Sequence, residues 1–178
     1  EFGDLALTDL TNRLSYPFGI TVNVRSQRFS DEGEDFGGYT YAKTGGAVLD
    51  QPRGRAYQIF DQQTLSLLER RYRTSEPVVA ANLGDLARQL DLDPAVLTKL
   101  VEEYNSGLSD RPFNPLVLDG KCTRGITPPK SNWATRIDKP PYVAYPVTGG
   151  ITFTFGGLEI DSQARVVDTE DQPIPGLY

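Results

Sequence analysis

The sequence predicts an α+β fold with a mainly antiparallel sheet. Runs of β-branched and aromatic residues lie near both ends of the chain, and helical patterns lie between them. The length of 178 residues, with 38% hydrophobic and 24% charged residues, is that of one ordinary soluble domain, and no apolar run approaches the length of a membrane span. We therefore expect a single domain over residues 1–178 and no membrane insertion.

Strand-forming runs recur along the chain. Each is rich in Val, Ile, Thr, Tyr or Phe and is bounded by glycine, proline or a short polar turn, a pattern typical of strands. In chain order, these runs are residues 20–24, 27–29, 56–60, 77–81, 142–148, 151–155 and 164–167. Only Arg25 and Ser26 separate the first two runs, so we expect those runs to form a short hairpin.

Two helices are predicted in the first half of the chain. Residues 39–51 favour an imperfect helix, because Gly45 and Gly46 interrupt the pattern before Pro52 stops it. Asp61 is placed to cap a second helix at its N-terminus. The apolar side of that helix would carry Leu65, Leu68 and Tyr72.

Two further helices follow, and the second has the clearest boundaries. Asn82 precedes a pattern with leucines at spacings of three and four residues. Beyond it, Asp93 is a good N-cap, Pro94 suits the first helical position, and Gly107 stands just past the end. The apolar residues of this last helix are Leu97, Leu100, Val101 and Tyr104.

Residues 107–141 predict a long, proline-rich loop. Loops of this length are uncommon in compact domains and are frequently functional. The chain has a net charge of −6, which argues against nucleic acid as a partner, but residues 121–140 of this loop carry five cations against a single carboxylate, Asp138. We expect the cations to meet an anionic small molecule. They are Lys121, Arg124, Lys130, Arg136 and Lys139.

Histidine is absent, which removes the usual general acid or base and the commonest metal ligand. Proton transfer would have to use tyrosine, lysine, arginine or a carboxylate. The single cysteine, Cys122, cannot form an internal disulfide or a cysteine-based zinc site, so we predict no metal site and a cytoplasmic location. Because the chain begins at Glu1, without a methionine or a leader-like stretch, we expect it to be a piece of a longer protein.

The C-terminal part carries a specific order of motifs. Gly-Ile-Thr-Phe-Thr-Phe-Gly-Gly-Leu-Glu-Ile-Asp spans residues 150–161, Ala-Arg-Val spans 164–166, and Pro-Ile-Pro-Gly-Leu-Tyr spans 173–178. This order resembles a signature of the fumarate reductase flavoprotein superfamily. Other segments that resemble the family, in most cases its tricarballylate dehydrogenase branch, are residues 20–33, 39–43, 56–61, 124–126 and 129–134.

The resemblance implies a two-domain enzyme. In this family a Rossmann-type domain holds FAD, and an inserted capping domain closes over the flavin to form the substrate pocket. This chain would be the capping domain, inactive alone, and its partner would be the missing FAD domain of the same polypeptide. Glu32, in an acidic turn, and the pair Gly156 and Gly157 would contact the cofactor. The implied reaction is oxidation of a polycarboxylate such as tricarballylate by hydride transfer to flavin.

The chain departs from the family at two functional positions. Fumarate reductases are similar here except that they place a substrate-binding histidine pair where this chain has Thr152 and Phe153. The slot of their catalytic arginine falls on Tyr41, with Lys43 two residues on, so the resemblance implies that Tyr41 or Lys43 exchanges the proton. The candidates for binding substrate are Arg124, Lys130, Thr148 and Thr152.

Two other interpretations remain open. The chain could be the cap of an enzyme similar to ketosteroid dehydrogenases, with an apolar pocket that includes Phe153 and Phe155, although the basic loop counts against it. It could also be a non-catalytic binding or assembly module.

Overall fold

The computed structural model describes residues 12–151 and 156–178. Over these residues the α+β prediction is confirmed, with a four-stranded sheet in the order β1-β2-β4-β3 and three α-helices. Every strand pair is antiparallel. The strands are β1 (Ile20–Asn23), β2 (Arg55–Phe60), β3 (Val78–Ala80) and β4 (Tyr142–Thr148), and the helices are α1 (Gly37–Leu49), α2 (Leu83–Gln89) and α3 (Pro94–Ser106). Within these residues, no helix has the length and apolar character that a membrane crossing requires.

One face of the sheet carries the main hydrophobic core. Side chains alternate along a strand, so Ile20 and Val22 of β1 share this face with Ile59 of β2 and Ala144 of β4. Helices α2 and α3 cover it with their apolar stripes. The helix residues fully buried there include Leu86, Leu97, Val101 and Tyr104.

The opposite face is aromatic and partly polar. Tyr72 is buried there against Phe60, and the two rings meet edge to face with centroids 5.8 Å apart. Its hydroxyl donates to Gln58 Oε1 at 2.6 Å and accepts from the Ser15 amide at 2.9 Å. Burial raises the pKa of Tyr72, so this hydroxyl stays protonated and serves as a structural hydrogen-bonding group.

The helix boundaries follow the capping residues. Asp93 Oδ1 accepts from the Ala95 amide at 2.8 Å, which confirms the predicted N-cap, and Asn82 Oδ1 accepts from the Asp85 amide at 2.8 Å, so that Asn82 caps α2. Helix α1 differs from the prediction, since it begins at Gly37 and continues through the two interior glycines without a break. Contact with the sheet therefore offsets the weak helix propensity of this segment.

The helix predicted after Asp61 is wrong. Two short 3-10 turns, Leu65–Leu67 and Arg70–Thr74, replace it. The buried Asp61 carboxylate accepts from the amides of Gln63, Asp138 and Lys139, each at 2.9 Å, and so fastens the end of the long loop to β2. Its Oδ1 accepts from the Gln63 amide as an N-cap does, but the turns that follow are 3-10 turns and not an α-helix.

Two predicted strands are reduced to isolated bridges. Residues 27–29 contribute one bridge, between Arg28 and Val22, and residues 164–167 contribute bridges to Ile160 and Pro173. The run 151–155 falls almost wholly outside the described residues. Within the sheet, β2 separates β1 from β4.

Two glycines should respond oppositely to alanine. A Cβ on Gly19 would lie 2.3 Å from the Ile59 carbonyl oxygen, so we expect Gly19→Ala to lower the free energy of unfolding by about 1–3 kcal/mol. Gly46, inside α1, has open space around its Cβ position, so Gly46→Ala should raise it by about 0.5–1 kcal/mol. Urea unfolding of both variants measures the two effects, and equal effects would contradict the packing described here.

Candidate functional site

A buried ion pair between Arg28 and Glu32 joins the segment that follows β1 to the acidic turn, residues 31–33. Glu32 Oε1 accepts from Arg28 Nε at 2.9 Å and from the Thr21 amide at 2.8 Å, while Oε2 accepts from Arg28 Nη2 at 2.5 Å. Burial alone would lower the pKa of Arg28, but the adjacent Glu32 carboxylate outweighs burial and raises it. Arg28 therefore stays charged, and Glu32 is occupied by donors of this chain.

Sequence reasoning overlooked Arg28. It also donates from Nη1 to the Pro128 carbonyl oxygen at 2.7 Å, and its guanidinium carbon lies 5.6 Å from the centre of the Tyr104 ring. The available signal is an arginine and a glutamate on either side of one turn, which does not distinguish a buried pair from an exposed one.

Lys130 is fully buried, although it belongs to the long loop of residues 107–141. Its Nζ donates to the Gly19 carbonyl oxygen at 2.5 Å. Burial lowers the pKa of Lys130 to about 8, and the neighbouring Glu32 carboxylate opposes that shift. The side chain thus ties the loop to the start of β1. Its predicted role in binding substrate stays a prediction, and this geometry does not bring it to the surface beside Arg124.

A set of polar contacts fastens the acidic turn to the loop. Asp31 Oδ1 accepts from the Ser131 amide at 3.0 Å, and Asn132 Nδ2 donates to the Gly33 carbonyl oxygen at 2.8 Å. The approach is so close that a Cβ on Gly33 would lie 2.2 Å from the Asn132 carbonyl oxygen. Next in the chain, Trp133 is buried and donates to two carbonyls of the loop. The long loop is therefore an ordered element.

A cleft of about 610 Å³ opens between the end of α3 and loop residues 124–127. Its lining includes the apolar side chains Leu100 and Ile126, the ion-pair member Arg28, and the carboxylate Glu103. Arg124 also lines the cleft and is exposed. Within residues 12–151 and 156–178, the Arg124 side chain makes no hydrogen bond or ion pair. Its guanidinium is thus available to an anion.

Helix α1 holds the two predicted proton-transfer residues on different faces. Tyr41 is half-buried, whereas Lys43 is exposed and its Nζ lies 2.5 Å from Glu34 Oε2. Residues two apart on a helix do not face each other. Tyr41 shares a face with Gly45 and Leu49. Both of these contact the end of β4 so closely that a Cβ on Gly149 would lie 2.6 Å from the Gly45 carbonyl oxygen.

The remaining predicted residues lie near the end of the sheet or beyond it. Thr148 Oγ1 donates to the Gly54 carbonyl oxygen at 2.7 Å. Gly156 and Gly157 are exposed, with open space where a side chain would stand. Thr152 lies outside the described residues. The structure thus brings Tyr41 and Thr148 to neighbouring elements and leaves Arg124 in the cleft.

Comparison with known proteins indicates a flavoprotein. A family model described as "FAD binding domain" matches residues 16–178. A fumarate reductase (cytochrome) of Shewanella frigidimarina is 33% identical over 89% of this chain and 25% of its own length. A 4-oxocyclohex-2-ene-1-carboxylate 5-dehydrogenase of Sinomonas cyclohexanicum is 30% identical over 92% of this chain and 30% of its own length. The chain thus spans about a quarter to a third of these relatives.

Two solved structures are also similar to this chain. A 3-ketosteroid delta1-dehydrogenase from Sterolibacterium denitrificans matches 94% of this chain and 34% of its own chain, with 27% identity and a TM-score of 0.56. The open conformation of a flavocytochrome c3 fumarate reductase matches 96% of this chain and 28% of its own, with a TM-score of 0.71 and 24% identity, a likeness of fold alone.

The buried Lys130 should make the free energy of unfolding depend measurably on pH. The folded pKa is about 8 and the reference value is 10.5, so between these pH values the unfolded chain binds more protons than the folded chain. The contribution of Lys130 to stability is therefore least favourable below about pH 8 and improves as the pH rises toward 10.5. We expect the wild type to gain stability relative to Lys130→Met over this range in chemical unfolding. The exposed Lys99→Met should show no such trend, and a flat difference for Lys130 would refute the prediction.

Proposed function

This chain belongs to the FAD binding domain family of flavoproteins, and from that premise we propose that it forms the substrate-capping part of an FAD-dependent oxidoreductase. The proposal rests on the contrast between the family match and the absence of a nucleotide-binding motif from this sequence. The chain matches an FAD family over residues 16–178, yet its sequence has no G-x-G-x-x-G pattern of the kind that cradles a pyrophosphate. A substrate-capping domain would share the family fold, but it would not need a pyrophosphate-binding turn of its own.

The residues expected to contact the cofactor differ in whether their polar groups are already engaged. Both oxygens of the Glu32 carboxylate already accept hydrogen bonds from Arg28 and Thr21, so a cofactor contact by Glu32 stays a prediction. Gly156 and Gly157 are open enough for a ligand to approach the backbone. We propose that another part of the polypeptide binds FAD in the main. FAD when bound supplies the redox chemistry, and this chain acts on the substrate and the proton.

Tyr41 is the proposed proton-transfer residue. Three observations support it: the chain has no histidine, Tyr41 is half-buried, and its face of α1 runs along the end of β4. The chain leaves β4 there for residues 150–157, which carry part of the family resemblance. Lys43 is a weaker candidate because Glu34 already engages its ammonium group.

The proposed substrate is an organic acid, and a polycarboxylate such as tricarballylate is the first candidate. Arg124 supports this because its guanidinium, which has no partner among the described residues, lies at the edge of a cleft and can form charge-assisted hydrogen bonds to a carboxylate. Lys130 would have to give up its contact with Gly19 to take part. Thr148, at the end of β4, and Thr152, four residues later in the chain, remain candidates for binding the substrate.

A second candidate is a cyclic ketone substrate. It is favoured by the match to the 3-ketosteroid delta1-dehydrogenase at a TM-score of 0.56 and by the 4-oxocyclohex-2-ene-1-carboxylate 5-dehydrogenase among the relatives. The second of these names a ring that bears both a ketone and a carboxylate, which a cation such as Arg124 would also suit. Turnover of the complete protein with tricarballylate and with ring ketones separates the two candidates, and turnover of neither would favour a non-catalytic module.

The isolated chain should be colourless. The phosphate-binding turn and most flavin contacts belong, on this proposal, to residues outside it. We therefore expect no flavin absorbance after purification and no stoichiometric uptake when FAD is added. A one-to-one flavin spectrum from this chain would contradict the assignment of FAD binding to the rest of the protein.

Tyr41→Phe in the complete flavoprotein tests the proposed role in proton transfer. Such transfer by a positioned group is worth roughly 100- to 10,000-fold in rate, so flavin reduction in a single turnover should slow at least about 100-fold while substrate affinity changes little. Tyr39→Phe is a matched control, because Tyr39 lies on the same helix and is 82% exposed. Near-normal reduction by Tyr41→Phe would exclude this role and shift attention to Lys43 or Arg124.

A further inference from the structure

The loop that borders the cleft carries a row of hydrogen-bond donors without partners. Within the described part of the chain, the backbone amides of Gly125, Ile126 and Thr127 donate no hydrogen bond, and neither does the Arg124 guanidinium. Gly125 has a φ of 72°, a left-handed conformation that turns the backbone sharply at this point. Successive amides around such a turn commonly form a concave site for an anion.

The backbone of this loop is held in place. The Arg124 amide donates to the Gly107 carbonyl oxygen at 2.7 Å, and a Cβ on Gly107 would lie 2.6 Å from the Arg124 carbonyl oxygen. At the other end, the Pro128 carbonyl accepts from Arg28. The donors between these two anchors are therefore fixed in position without being used, which reduces the entropy lost when a ligand binds.

We propose that Arg124 and the amides of Gly125, Ile126 and Thr127 bind one carboxylate of a small organic acid, whose apolar body lies in the cleft against Leu100. The volume of about 610 Å³ is that of a small-molecule site. The inference deepens the proposed function and rests on it only for the acid being the substrate, since binding itself needs no flavin.

The charges of the cleft favour a single carboxylate. Arg28 also lines the cleft, but Glu32 neutralises it. Glu103 adds a negative charge, and its one ion-pair partner in the described part of the chain is the exposed Lys99, 3.6 Å away. Arg124 is thus the one lining cation, among the described residues, with no carboxylate partner. A second carboxylate of the ligand would be repelled by Glu103 and would have to be held by groups outside the cleft.

Titration of the 178-residue chain with cyclohexanecarboxylate tests the site. We expect the amide NMR signals of residues 125–127 to shift together with a single affinity. Arg124→Gln should weaken binding about tenfold or more, since it removes a charge-assisted contact. Arg73→Gln is the matched control, because Arg73 is an exposed arginine on a different element and makes no ion pair with the described residues. Binding that is equally strong in both variants, or shifts confined to other residues, would overturn the proposal.

Tricarballylate and inorganic phosphate test the preference for one carboxylate. Tricarballylate should bind more weakly than cyclohexanecarboxylate because Glu103 repels its further carboxylates, and Glu103→Gln should strengthen tricarballylate binding more than binding of the monocarboxylate. Tighter binding of phosphate than of either acid would overturn the carboxylate assignment. Tricarballylate binding that is tenfold tighter and unaffected by Glu103→Gln would overturn the single-carboxylate site. Binding by the chain together with failure of turnover in the complete protein would leave this site standing and refute the proposed function.

Discussion

The ion pair between Arg28 and Glu32 is the interaction on which the rest of the described structure depends. Removing two charges from water costs several kcal/mol per ion, and their attraction offsets that cost only if the geometry is good and the remaining donors and acceptors are satisfied. Here they are satisfied, because Glu32 also accepts from β1 and Arg28 also donates to the Pro128 carbonyl of the long loop. One ion pair thus connects the sheet, the acidic turn and residues 107–141.

That connection explains how a proline-rich loop of such length can be ordered. Lys130 lies beneath the loop with its ammonium group on the Gly19 carbonyl, and the negative charge of Glu32 keeps that burial tolerable. Asn132 donates to the Gly33 carbonyl of the acidic turn, and the buried Trp133 donates to the Asn114 and Val117 carbonyls earlier in the loop. The consequence for function is that loop residues 124–127 occupy a fixed position at the edge of the cleft. An anion meeting them meets donors that are already arranged.

Local sequence signals predicted much of the fold and less of the site. The period-two pattern of β2 and β4, and the caps at Asn82 and Asp93, depend on neighbours in the chain and could therefore be read directly. The role of Asp61 could not be predicted in this way, because two of its three amide donors, those of Asp138 and Lys139, come from more than 70 residues away. The same holds for Lys130, which looks like any loop cation until the fold sets it against Gly19. Tyr41 and Lys43 are close in sequence, yet the helical period separates them onto different faces, a relation that the sequence did contain.

The strand order also has a consequence for how the protein is made. Among the described residues, β4 is the last strand and lies between β2 and β3, so one edge of β2 and the whole of β3 have no strand partner there until residues 142–148 emerge from the ribosome. Pairing across such sequence separations closes a large loop and is intrinsically slow. During synthesis the nascent chain therefore presents unpaired strand edges, which are the kind of surface that other chains can add to and that chaperones have reason to cover. Translational pausing or truncation before residue 148 would prolong that exposed state.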